Sequence, residues 1–128
     1  MREIIFRGKR IDNGEWVYGS LFVGFNKCYI CPEAIAMYNF DGALCLGGFI
    51  EVDPYTVGQH TGLTDKHGKK IFEGDILLLR PGRPHVVRFE DGAFILEYSA
   101  IPMSFAIKFE IIGNIYNNPE FFKEEAQT

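Results

Sequence analysis

The side chains of this 128-residue chain that can do chemistry are three cysteines, three histidines and a scatter of carboxylates. Cys28 and Cys31 have the spacing of a redox pair, which needs a helix N-terminus to lower the pKa of one thiol. They fall instead in Lys27-Cys28-Tyr29-Ile30-Cys31, a run that reads as a strand, where residues three apart face opposite sides. A tetrahedral zinc site would also need Cys45 and one of His60, His67 or His85, and none of these spacings is that of a finger or ribbon. The cysteines therefore read as buried or incidental, and neither a metal nor a cofactor is expected.

His60, Asp65, His67, Glu73 and Asp75 form the second constellation. A histidine beside carboxylates can serve as a general base, and two carboxylates can divide acid and base roles. All five sit in a turn-rich stretch where polar side chains are expected to be solvated or to bond the backbone. No nucleophile elbow, metalloprotease helix, phosphate loop or dinucleotide fingerprint occurs. A hydrolase using His60 and Asp75 has the least support, and a non-enzymatic protein is the expectation.

Binding residues stand out more. Lys66, Lys69 and Lys70, followed by Arg80, Arg83 and Arg88, are the main basic cluster; on one face they could follow a phosphate backbone, with Tyr98 to stack bases. A solvated charged edge is the plainer reading. Trp16 and Tyr18, two apart on a strand, share a face and serve either as core or as a docking surface. The net charge of −4 removes the simplest argument for nucleic acid.

The elements that must position these residues are short strands. An aromatic share of 15% and fourteen glycines favour many strands joined by tight turns. Strands are expected at residues 3–7, 15–23, 27–31, 49–52, 75–80, 85–90, 93–98 and 105–112. Turns are expected at Asp12-Asn13-Gly14, Gly24-Phe25-Asn26, Thr61-Gly62, Lys66-His67-Gly68-Lys69, Gly74-Asp75 and Asp91-Gly92. Residues 33–38 read equally as helical turn or strand. Asn118 and Pro119 are suited to cap and open a short C-terminal helix carrying Phe121 and Phe122. Asp53-Pro54 marks a soft boundary between sub-units 1–53 and 54–128. No apolar run is long enough for a membrane span, no secretory signal is seen, and the cysteine usage suits a reducing compartment, so a cytoplasmic protein is expected.

Three blocks resemble the YopX-like proteins of bacteriophages and prophages. They are Met1-Arg2-Glu3-Ile4-Ile5-Phe6-Arg7 with Trp16-Val17-Tyr18-Gly19; the run from Gln59 through Thr61-Gly62-Leu63-Thr64-Asp65 and Ile71-Phe72-Glu73-Gly74-Asp75 to Ile76; and the closing Glu110-Ile111-Ile112-Gly113-Asn114-Ile115-Tyr116-Asn117-Asn118-Pro119-Glu120. The resemblance implies a phage or prophage origin and a mainly β protein: a small barrel-like N-terminal β unit, an SH3-like β-barrel C-terminal half and a short C-terminal helix. It implies no catalytic residues. Residues 27–49 depart from the family pattern, and specificity is expected to lie there, if anywhere in a variable loop. The expected function is a protein-binding or self-assembling module, a homo-oligomer, with Trp16, Tyr18, Lys66, Lys69, Lys70 and Arg88 as the candidate binding surface. The alternative is a nucleic-acid-binding small β-barrel protein.

Overall fold

The structure, a computed structural model, describes residues 3–32 and 48–120. Cys45, residues 33–38 and the helix expected at Phe121 and Phe122 lie outside the described residues. The chain divides into two compact units, Met1–Gln59 and His60–Thr128.

The first unit is built from β1 (Phe6–Lys9), β2 (Trp16–Gly24), β3 (Lys27–Cys31) and β4 (Ile50–Val52), each antiparallel to the next. The turns expected at Asp12-Asn13-Gly14 and Gly24-Phe25-Asn26 both close antiparallel pairs. The second does so differently: Gly24 stays in β2, paired with Lys27, and the left-handed positions fall on Phe25 (φ 55°) and Asn26 (φ 61°). Two consecutive positive φ values make the turn whose twist matches that of the strands, and this outweighs the poor fit of phenylalanine to that region.

Period-two alternation sorts the unit's residues. Val17, Ile30 and Val52 form its buried core, with Phe6, Leu21, Cys28, Ile50 and Val57 packed against them. Arg7, Lys9, Trp16 and Tyr18 share the other face, since Arg7 lies opposite Tyr18 and Lys9 opposite Trp16. After β4, Asp53 accepts a bond from the Tyr55 N–H and opens the 3-10 turn Pro54–Thr56, as proline's fixed φ allows. An isolated bridge between Arg10 and Val52, with Ile11 N–H donating to Glu51 O and Asp53 N–H to Lys9 O, curls the unit back towards β1. Gly8 is what permits this approach, because a Cβ there would lie 2.9 Å from Val52 Cγ2. The return is a single bridge rather than a paired strand.

β5 (Gly58–Thr64) runs from one unit into the next: Gly58 and Gln59 pair with β1, while His60 and Thr64 pair with β6 (Lys70–Phe72). Thr61-Gly62 is therefore not a turn. It lies inside β5 where the register shifts, and Gly62 (φ 87°) supplies the left-handed residue of the irregularity.

The second unit also holds a four-stranded antiparallel sheet in the order β10-β7-β8-β9, made of β7 (Asp75–Leu78), β8 (His85–Glu90), β9 (Ala93–Leu96) and β10 (Glu110–Asn114). Asp91 (φ 52°) and Gly92 (φ 82°) form the tight β8–β9 turn read from the sequence. The strand expected over residues 105–112 is corrected: Met103–Lys108 is a 3-10 helix, and the strand begins only at Glu110. Ala106 and Phe109, three apart and both buried, show why. The 3-10 repeat of three residues puts them on one side, against Ile71, Leu77, Val87 and Leu96. The fold is thus mainly β, and no closed barrel is formed among the described residues.

Candidate functional site

Asp65 ties three backbone N–H groups together in the second unit. Its Oδ1 accepts from the N–H groups of His67 (2.8 Å) and Lys69 (2.9 Å), and its Oδ2 accepts from Ile111 N–H on β10 (3.1 Å). Lys66 N–H donates to Phe109 O, so the turn is fastened to the start of β10 twice. Burial pushes the Asp65 carboxyl pKa up, but the three N–H donors, with His67 nearby, outweigh it and hold the group below its ordinary 3.8. Such a carboxylate is fully engaged in holding backbone.

His60 and Asp75 of that constellation also bond the backbone, and Glu73 is half-buried. His60 is buried; its Nδ1 lies 3.0 Å from the Ile71 carbonyl oxygen, and because a carbonyl only accepts, Nδ1 carries the proton. Thr61 Oγ1 donates to the same oxygen. Asp75 is buried and accepts the Phe72 N–H through Oδ2 (2.8 Å), closing the turn at Gly74. His67 is exposed, with Nε2 3.9 Å from Glu110 Oε1. Cys28 packs into the first unit's core while Cys31 lies opposite Ser20 on the other face of β3. Among the described residues no group of three or more His, Cys, Asp or Glu side chains is placed to hold a metal ion.

The basic residues are divided. Lys66 Nζ lies 3.7 Å from Glu110 Oε2, and Lys69 and Lys70 are exposed on the neighbouring turn and β6. Arg88 instead pairs with Glu97, Nε to Oε2 at 2.9 Å, and lines a cleft of about 520 Å³ that contains none of the three lysines. That cleft also collects Arg83, His85, Tyr98, Ile115 and Pro119.

The first unit carries the other candidate surface. The Arg7 guanidinium stands over the Trp16 ring at 4.7 Å and the Lys9 ammonium at 5.5 Å. Arg7 is buried, Trp16 and Lys9 are half-buried, and Tyr18 is 47% exposed. Neither Arg7 nor Lys9 stood out in the sequence; the register that sets Lys9 against Trp16 reveals them.

The comparison with known families bears on the turns just described. A family model described as YopX protein matches residues 5–123. The chain belongs to the YopX family. Among solved structures, a crystal structure of protein EF1440 from Enterococcus faecalis is similar to this YopX chain, with a TM-score of 0.56 and 21% identity. The match covers 94% of this chain and 98% of that one, and at this identity it speaks for the fold alone. No curated protein matches the chain.

Residues of the second and third YopX-like blocks fasten backbone. Asn114 Oδ1 accepts the N–H groups of Tyr116 and Asn117, and Asn118 Oδ1 accepts that of Asn114. Gly113 leaves the space that Asn118 Oδ1 fills. Gly74 (φ 92°) donates its N–H to Val87 O and accepts from Ile115 N–H, and a Cβ there would lie 2.9 Å from Tyr116 Cε2. Gly74→Ala combines an unfavourable φ with displacement of the Tyr116 ring. It should cost about 1–2 kcal/mol, seen as an earlier urea midpoint with an unchanged slope.

Proposed function

We propose that this YopX chain is a non-catalytic accessory protein of phage or prophage origin that works in the host cytoplasm by docking a protein partner on the Trp16–Tyr18 face. The observation that carries the reading is the Trp16 ring held between sheet and solvent by Arg7 and Lys9, with Tyr18 exposed beside it. Rings fixed in this way lose little freedom on binding, which is why tryptophan and tyrosine dominate interface energetics. Lys9 adds a cation at the rim. The partner that suits the face presents an apolar side chain to the two rings and a carboxylate to Lys9. An SH3-like arrangement of the second unit, and assembly into a homo-oligomer, belong to the same proposal. No helix among the described residues is long and apolar enough to cross a membrane.

Trp16 is the only tryptophan, so its emission reads this face directly. In capture from nuclease-treated host lysate, Tyr18→Ala and Lys9→Glu are each expected to weaken retention of the partner by roughly tenfold or more. The purified partner should then shift Trp16 emission on titration. Equal capture by wild type and both variants, or capture abolished by nuclease, would reject the reading. Sedimentation at micromolar concentration tests assembly separately, and a strict monomer removes that part.

A further inference from the structure

The cleft of the second unit shares no lining residue with the Trp16 face. Its volume of about 520 Å³ falls within the range of small-molecule sites. Pro84, Val86, Ile115 and Pro119 give it apolar walls, while Arg83, His85, Arg88 and Glu97 supply its polar groups.

The polar groups are oriented by the fold. Glu97 takes the Nε–H of Arg88 at 2.9 Å, which fixes the guanidinium plane and leaves the donors of both terminal nitrogens out of that pair. The main-chain oxygen of Glu97 lies 2.9 Å from His85 Nδ1. A carbonyl cannot donate, so His85 carries its proton on Nδ1 and, when neutral, offers Nε2 as an acceptor. Tyr98, 93% exposed, is held in the left-handed region (φ 58°), where a bulky residue is seldom found. Residues kept in such conformations concentrate at ligand clamps. The charged side chains of the lining, two arginines and one glutamate, sum to a single positive charge.

We infer that this cleft binds a nucleotide unit, with one phosphodiester on Arg83 and Arg88 and the base on the Tyr98 ring. Arginine's planar fork matches phosphate oxygens, and an aromatic ring accepts any base face. His85 Nε2 receives a hydroxyl or N–H of the nucleotide. The surplus of one positive charge matches a phosphodiester better than a polyphosphate, which favours a single strand over a free nucleotide as the source. The lysines of the 65–70 segment take no part, which separates this site from a diffuse basic surface.

The test is binding of 5′-fluorescein-labelled hexathymidylate to the full chain by fluorescence anisotropy. Arg83→Glu and Tyr98→Ala change exposed residues and leave the core untouched. The first is expected to weaken binding at least roughly tenfold and the second roughly fivefold or more. Lys108→Glu, the same charge reversal at an exposed position outside the cleft, serves as the control and should change binding less than about twofold. Unlabelled oligonucleotide displacing the probe where uridine monophosphate does not assigns the site to a strand. Equal displacement by uridine monophosphate assigns it to free nucleotides and supports the shared chemistry. No saturable binding, binding indifferent to Arg83→Glu and Tyr98→Ala, or displacement by inorganic phosphate as effective as by uridine monophosphate would overturn the inference.

Discussion

Asp65→Ala is expected to destabilise the second unit by about 4 kcal/mol and to expose the amides of His67, Lys69 and Ile111 to hydrogen exchange. A bond to an ionised acceptor is worth about 1.5–3 kcal/mol, and leaving a buried donor without its acceptor costs a similar amount. Three such bonds meet at Asp65, two inside the 65–69 turn and one to β10, 46 positions away in sequence. They share one carboxylate and are not additive, so the expected total stays below three full bonds. Asp65→Asn separates charge from shape. It keeps one acceptor oxygen but turns an amide N–H₂ towards one set of donors, and about 2 kcal/mol should be lost.

The pH dependence follows from the depressed Asp65 pKa. Above the ordinary value of 3.8 the carboxyl is ionised in folded and unfolded chains, and the stabilisation is fully present. As pH falls below 3.8 the unfolded chain takes up the proton first, and the stabilisation drains away as pH falls through the folded value. The stability gap between wild type and Asp65→Asn, measured by urea titration at each pH, should therefore narrow on acidification and be widest at neutrality. A gap independent of pH would mean that the charge of Asp65 adds nothing to what its shape and acceptor oxygens provide.

How far the sequence could anticipate this depends on the range of the interaction. Turn residues act locally, so Asp12-Asn13-Gly14 and Asp91-Gly92 marked their hairpins correctly, and the alternation that puts Trp16 and Tyr18 on one face needed only period two. Residues 103–108 defeated the same reasoning, because alternating and three-residue spacings of apolar groups overlap in Phe105-Ala106-Ile107-Lys108-Phe109, and burial of Ala106 with Phe109 decides between them. Thr61-Gly62 carried a turn signal that a strand irregularity also uses. The binding candidates divided for a similar reason. Lys66, Lys69, Lys70 and Arg88 look continuous along the chain, yet Glu110 and Glu97 draw them to different places. No local pattern announces that Asp65 reaches Ile111, or that His85 meets the backbone of Glu97.

Gly19→Ala should cost the first unit about 3 kcal/mol, whereas Tyr18→Ala one residue earlier should cost little stability. Gly19 lies where β2 passes closest to the end of β3. A Cβ added there would overlap the Cys31 carbonyl oxygen and stand 2.8 Å from its carbonyl carbon and 2.9 Å from Pro32 Cα. All three are backbone atoms, so no rotamer change can relieve the clash, and the strands must separate. The ladder that would move includes the pairs of Ser20 with Cys31 and Leu21 with Ile30, and Ile30 is fully buried in the unit's core. Tyr18 projects from the opposite face and is 47% exposed, so its removal leaves that core intact. Urea unfolding followed by Trp16 emission, set against the capture experiment, distinguishes the two: Gly19→Ala loses stability and partner together, and Tyr18→Ala loses the partner alone. Loss of stability in Tyr18→Ala as large as in Gly19→Ala would make the aromatic face part of the core, and the docking surface would then have to be sought elsewhere on the chain.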